Sequence, residues 1–150
     1  MNNEIKILVF ANSSWYLYNF WLSNIEIFRS SGYKVILVSN DDGYGSRLME
    51  KGFSFYPLNV SRGIKGLLGD ILLIFNLRSI IKEVGPDIIH NLNPKQVIYG
   101  SILLLIMKAF GYDKKTMIVN SFPGLGRLYS DESSLYLIFR IIFEKLYGMI

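Results

Sequence analysis

Residues 5–11 read Ile-Lys-Ile-Leu-Val-Phe-Ala, an almost unbroken run of apolar and β-branched side chains. A strand with one solvated face would alternate polar and apolar positions, whereas a parallel strand covered on both faces is apolar throughout. The run therefore predicts the central first strand of a parallel sheet. A polar turn at 12–14 follows, and apolar residues then recur with a helical period until Gly32, a typical helix end.

The same unit of strand, turn and helix recurs along the chain. Four more segments have strand patterns: 34–39, 53–58, 87–91 and 116–120. Four further segments have helical patterns: 46–51, 67–84, 94–110 and 134–149. Strands that alternate with helices favour a parallel sheet, because parallel neighbours need crossover connections. The sequence predicts one α/β domain over 1–150, with a Rossmann-like, doubly wound, mostly parallel sheet of about five strands and helices on both faces.

The composition excludes several classes of protein. A chain of 150 residues is long enough for one ordinary domain and too short for two. It has no cysteine and one histidine, which excludes disulfides, thiolate metal sites and a multi-histidine zinc site, so we expect no metal. Hydrophobic residues make up 51% of the chain, so apolar surface is expected to be covered on both sheet faces or to meet a membrane or partner.

Charge and the first residues bear on partners and location. The net charge of +4 favours acidic partners such as substrate phosphates or an anionic membrane leaflet. The basic residues are dispersed, so we expect no nucleic-acid partner. The start of the chain lacks the basic segment and long apolar run of a signal peptide, which predicts a cytoplasmic protein. The apolar stretch 96–107 is shorter than the roughly 18–20 residues that cross a bilayer and predicts a buried helix.

Ligands of doubly wound sheets bind beyond the carboxyl ends of the strands, which directs attention to the loops at 12–15, 40–45, 90–95 and 121–131. The first loop lacks the glycine patterns of dinucleotide and Walker sites. It could hold a hydroxyl or phosphate at a helix N-terminus, or serve only as a helix cap. Asp41 and Asp42 follow the second strand, whereas a phospho-accepting receiver domain needs its acids after the first, so they predict a solvated turn.

The loops after the fourth and fifth strands hold the clearest candidate groups. His90 lies at the end of the predicted fourth strand, next to its last residue, and an ordinary pKa near 6.5 suits proton transfer or a hydrogen bond to a sugar hydroxyl. The alternative is a histidine packed beneath the sheet edge and bonded to backbone. Lys95 opposes the dipole at a helix start, which favours a functional role over a solvated lysine. The loop 121–129 combines glycines, an arginine and aromatics, as in a loop that closes over substrate, or is a plain connection.

Five motifs together resemble a known family. They are VFAN at 9–12, GYKV at 32–35, PDIIH at 86–90, KQVIYG at 95–100, and the segment from VNS to GLG at 119–126. In this order they resemble the N-terminal domain of family-4-like glycosyltransferases over almost the whole chain. The resemblance implies the acceptor-side domain of a GT-B enzyme with two facing domains. Such an enzyme moves a sugar from a nucleotide-sugar donor to a saccharide acceptor, here expected to be lipid-linked, in surface polysaccharide assembly, without a resident cofactor.

The resemblance also implies roles for individual residues. His90 would be the catalytic residue near the transferred sugar. The substrate-binding residues would be Asn12, Ser13, Ser14, Trp15, Asn93, Lys95, Gly124, Gly126 and Arg127. Family members hold most donor contacts in a C-terminal domain, which is absent from this sequence. We therefore expect a truncated or fragmentary enzyme, or one subunit of a split enzyme, inactive without a donor-binding half.

Two alternatives stay open at the level of sequence. The predicted helix 134–149 is apolar with basic edges, so it could lie on the inner face of a membrane, or pack on its own sheet. The chain could also be a non-catalytic α/β binding module that recognises a saccharide, a nucleotide or a partner protein through the same loops.

Overall fold

The apolar run at the start of the chain forms the central strand of the sheet. The computed structural model describes residues 4–58, 67–112 and 115–122. Within them five strands pair in the order β3-β2-β1-β4-β5, and every pair is parallel. The strands are β1 Lys6–Ser13, β2 Lys34–Asn40, β3 Ser54–Pro57, β4 Ile88–Leu92 and β5 Met117–Ser121. The predicted Rossmann-like α/β fold is confirmed.

Helices follow the first four strands. The first helix begins as α1, Ser14–Tyr16, passes through a π-helical turn at Leu17–Trp21 and continues as α2, Leu22–Ser30. The others are α3 Gly45–Glu50, α4 Leu67–Val84 and α5 Pro94–Ala109. Within the described part of the chain, no helix is both long and apolar enough to cross a membrane.

The alternation of side chains along β1 divides the core into two layers. Leu8 and Phe10 face the layer of α4 and α5, where they pack with residues such as Leu77 and Leu104. Val9 faces the other layer, where Leu17 and other residues of the first helix pack. Because both faces are covered, the strand is apolar throughout, and each fully buried leucine or phenylalanine contributes about 1.5–3 kcal/mol.

Within the described residues, the predicted bounds of strands β1–β5 and helices α3–α5 differ from the observed ones by at most two residues. Strand β1 extends two residues beyond the predicted end, and α4 has the predicted bounds. Strand β4 begins and ends one residue later than predicted, which places His90 in its middle rather than at its end. The predicted helix 134–149 lies outside the described residues.

Candidate functional site

The candidate site lies where the strand order changes direction. Strands β2 and β3 lie on one side of β1, whereas β4 and β5 lie on the other. In such a sheet the loops from the two central strands diverge at the carboxyl edge and leave a crevice. Phe10 of β1 pairs with Asn91 of β4, so Ser13 and Asn93 leave adjacent strand ends. The topology brings together two of the loops that the sequence predicts.

The first loop is held mainly by bonds within the protein. The Ser13 side chain accepts a hydrogen bond from the Tyr16 amide at 3.2 Å and caps the first helix. Ser14 is fully buried, and its hydroxyl donates to Asp42 Oδ1 at 2.5 Å. The same carboxylate oxygen accepts from the Trp15 amide at 2.8 Å. An acidic side chain of the chain itself therefore occupies the helix start at which an external anion could bind.

The acidic turn after β2 is exposed, and both of its carboxylates bond to protein groups. Asp41 Oδ1 accepts from the Gly43 amide at 3.0 Å and from the Gly45 amide at 3.1 Å. The bond from Gly43 is the largest cause that lowers the pKa of Asp41. A Cβ at Gly45 would lie 2.5 Å from the Phe55 ring, so only glycine fits there. The turn joins the ends of β1 and β2 into one rigid unit.

His90 is buried beside the first helix. Its Nε2 lies 2.8 Å from Ser121 Oγ, and its ring meets the Trp21 ring edge-on with centroids 5.2 Å apart. The centroid of the Phe28 ring lies 6.0 Å from the centroid of the His90 ring. Burial lowers the pKa of His90 below its ordinary value, so the ring is neutral at pH 7. A neutral imidazole can donate or accept one hydrogen bond at each nitrogen.

The turn from β4 into α5 has an unusual backbone. Asn93 has a backbone φ of 76°, a positive value that residues other than glycine rarely adopt. Its amide donates to the Ser121 carbonyl at 3.2 Å. Pro94 then opens α5, whose free amides and positive dipole end face the carboxyl edge. Within the described residues, the buried oxygens Asn93 Oδ1 and Gln96 Oε1 have no protein partner.

Lys95 forms an ion pair on the rim of the same edge. Its Nζ lies 2.7 Å from Asp70 Oδ1, in the first turn of α4, and 5.3 Å from the Tyr99 ring centre. The hydrogen bond from Lys95 is the main cause that lowers the pKa of Asp70, and the same bond raises the pKa of Lys95. Asp70 thus offsets the unfavourable position of a cation at a helix start.

The other predicted site residues differ in position. Asn12, near the end of β1, and Trp15, in α1, are both exposed. Gly124, Gly126 and Arg127 lie outside the described residues. The edge therefore presents amides, a lysine, the carboxylates of Asp41 and Asp42 and uncharged polar groups, with His90 beneath it. This arrangement suits hydroxyls and, at the start of α5, a single anionic group.

Sequence reasoning missed several contributors to this edge. Ser121 bonds His90, Asp42 caps the first helix, and a partly buried hydrogen bond joins Asn91 Nδ2 to Asn120 Oδ1 at 2.9 Å. Each contact joins residues 27 or more positions apart in sequence. Ser121 was the one detectable signal, because it opens the candidate loop 121–131 directly after the predicted fifth strand.

The fold and this edge define a Rossmann-like α/β domain with a crevice at the carboxyl ends of its central strands. The chain matches the family described as Glycosyl transferase 4-like over residues 6–146 and belongs to that family. This confirms the resemblance predicted from the sequence motifs. A comparison with curated proteins returns no match.

Solved structures share the fold at low sequence identity. A glycosyltransferase from Rickettsia africae ESF-5 is 16% identical with a TM-score of 0.58, over 87% of this chain and 34% of its own. MurG from Acinetobacter baumannii is 9% identical with a TM-score of 0.53, over 81% of this chain and 42% of its own. A UDP-N-acetylglucosamine 2-epimerase is 14% identical with a TM-score of 0.60, over 87% of this chain and 37% of its own. The chain thus spans well under half the length of each of these proteins.

Proposed function

We propose that this chain is the acceptor-side half of a glycosyltransferase that moves a sugar from a nucleotide-sugar to a saccharide acceptor. The family match over residues 6–146 carries the proposal. The crevice between β1 and β4 supports it, because two predicted substrate loops diverge there. The acceptor is proposed to be lipid-linked and to serve surface polysaccharide assembly at the inner face of the membrane, and the nucleotide-sugar is a substrate rather than a resident cofactor.

The groups at the edge indicate which substrate contacts this chain would make and which a second half would make. Stabilising the departing diphosphate is the main electrostatic task of such a transfer and needs several donors around one anion. In the described residues, the start of the first helix already holds the Asp42 carboxylate, and Lys95 is paired with Asp70. Among the described residues, the amides that open α5 remain as donors at this edge. We therefore propose that a separate donor-binding half supplies most diphosphate contacts.

The role proposed for His90 is to hold an acceptor or donor hydroxyl near the reacting carbon. A neutral ring can accept a proton, and Ser121 orients it through the 2.8 Å bond to Nε2. Since Ser121 already bonds Nε2, Nδ1 is the nitrogen left for this task.

The test combines the chain with its natural donor-binding half and a membrane fraction, and measures transfer of labelled sugar from a panel of nucleotide-sugars. Transfer that depends on both halves supports the proposal. In that complex, His90→Ala should reduce transfer at least about a hundredfold, while the matched change Phe75→Ala on α4 should leave it unchanged. If no donor is used, the proposal fails.

The second candidate is a non-catalytic binding module. The burial of His90, with Nε2 already bonded to Ser121, favours it because the single histidine of the sequence is then covered rather than open to the crevice. A chain that binds saccharide but never transfers sugar, even with a donor-binding half, would establish this function instead.

A further inference from the structure

The π-helical turn aligns a group of aromatic side chains that an ordinary helix would separate. Residues five apart lie about 140° apart around an α-helix, but a turn with i to i+5 bonding stacks them. Across Leu17–Trp21 two such pairs are in contact. The rings of Trp15 and Phe20 meet edge-on with centroids 5.3 Å apart, and Trp21 Nε1 donates to Tyr16 Oη at 3.0 Å.

The aligned rings connect the surface to the candidate catalytic residue. Trp15 and Phe20 are 44% and 61% exposed and form the outer end. Tyr16 stacks on Phe20 with centroids 5.6 Å apart and bonds Trp21, which meets His90. A rigid series of contacts therefore runs from an exposed aromatic surface to the middle of β4. We call the exposed pair Trp15 and Phe20 the aromatic platform.

The segment that carries the platform is polar but uncharged, and two charged side chains of other elements approach it: Asp42 Oδ1 accepts from the Trp15 amide at 2.8 Å, and Arg47 lies 5.9 Å from the centre of the Tyr18 ring. No Asp, Glu, Lys, Arg or His lies between Lys6 and Glu26 in the sequence. The exposed polar side chains of this segment are amides and hydroxyls: Asn12, Asn19, Ser23 and Asn24. Asn19 also donates to the Trp15 carbonyl at 2.8 Å, which holds the turn that carries the platform.

The side chains around the platform favour some classes of ligand over others. An anionic membrane is held by lysines and arginines beside its apolar anchors, and the segment has none. An acidic peptide would likewise find no basic side chain in this segment. A neutral sugar ring has an apolar C–H face that packs on the negative face of an aromatic ring, and hydroxyls that exchange hydrogen bonds with amides.

We propose that Trp15 and Phe20, aligned by the π-helical turn, form a stacking platform for an uncharged sugar ring. Its identification as part of the acceptor rests on the proposed function. The platform lies on the same helix as Trp21, so the bound ring sits beside the crevice into which β1 and β4 open. It extends the predicted site from Trp15 to Phe20 and Asn19.

The test uses the full chain labelled with fluorotryptophan, whose two tryptophans give two resonances that Trp15→Phe assigns. The probes are cellobiose, maltose and N,N′-diacetylchitobiose, alongside vesicles of phosphatidylcholine with and without phosphatidylglycerol. We expect a disaccharide to shift the Trp15 resonance in a saturable manner. Phe20→Leu should weaken that binding about fivefold to tenfold, because it keeps an apolar side chain but removes the π face.

Phe75 provides a matched control, since it is a phenylalanine of the same 61% exposure on α4, in the opposite layer. Phe75→Leu should leave saccharide binding unchanged. A Trp15 resonance that no disaccharide moves, or that responds only to vesicles, overturns the proposal, as does an equal loss in both leucine variants. The readout involves no nucleotide-sugar, so saccharide binding without any transfer would refute the proposed function and leave the platform standing.

Discussion

Gly100 offers a sharp test of the packing beneath the candidate site. It is buried in α5 against β4, and a Cβ there would lie 2.1 Å from Asn91 Oδ1 and 2.9 Å from Asn91 Nδ2. Asn91 is fully buried, and its Nδ2 donates to Asn120 Oδ1 at 2.9 Å, so the amide cannot rotate away without losing that bond. Gly100→Ala therefore forces either the helix or the amide to move.

The expected change in the free energy of unfolding combines one stabilising and two destabilising contributions. Alanine gains about 1 kcal/mol over glycine in a helix interior. Overpacking costs about 1–3 kcal/mol, and a buried amide left without its partner costs about 1–3 kcal/mol more. The net loss should be about 3 kcal/mol at mid-range, which lowers the Tm of a chain of this length by about 6–12 °C.

Thermal and urea denaturation of the full chain measure this loss, and a second background separates its cause. In Asn91→Ala the obstructing amide is gone, so Gly100→Ala should stabilise that variant by up to about 1 kcal/mol. A Gly100→Ala chain that is more stable than the unaltered protein would show that Asn91 does not pack against α5 as described.

Three further expectations concern the site itself. Ser14→Ala removes the buried hydroxyl that bonds Asp42 and should cost about 1.5–3 kcal/mol in urea denaturation, whereas exposed Ser30→Ala should cost under about 0.5 kcal/mol; equal losses would refute a special role for Ser14. Burial lowers the pKa of His90 in the folded state, so its contribution to stability is complete above the unfolded pKa near 6.5 and is lost as pH falls toward the folded value. The single imidazole signal in proton NMR should titrate below pH 6.5, and a midpoint above it would contradict the described burial. Because 54% of the Lys95 side chain is exposed, a double-mutant cycle with Asp70 should give under about 1 kcal/mol of coupling, and a larger value would point to a buried pair.

The elements could be predicted from sequence because their signals are local. The run at 5–11 is apolar at consecutive positions, which suits only a segment covered on both faces, and it forms most of β1. Gly85 and the following proline end α4 at the predicted residue, since proline cannot continue a helix. Turn residues after each strand likewise placed the candidate loops at one edge of the sheet.

The contacts within the site could not be predicted from local sequence patterns. The bond of Asp42 to the first helix depends on β2 lying beside β1, and the bond between His90 and Ser121 depends on the pairing of β4 with β5. A one-residue shift in the end of β4 moved His90 from the predicted strand end to its middle. A strand ends where its neighbouring strand no longer supplies hydrogen bonds. The sequence pattern of one strand does not show which strand will be that neighbour.

The sequence by itself determined the alternation of strands and helices, the apolar character of the central strand, the position of the candidate loops and the family resemblance. Only the tertiary structure decided that Asp42 fills the start of the first helix, that His90 is buried against Trp21, and that a π-helical turn aligns Trp15 with Phe20. The physical reason is the separation along the sequence over which each interaction acts. Backbone propensity and hydrophobic period act over a few residues, whereas the contacts of Asp42 and His90 result from strand order and from packing between distant segments.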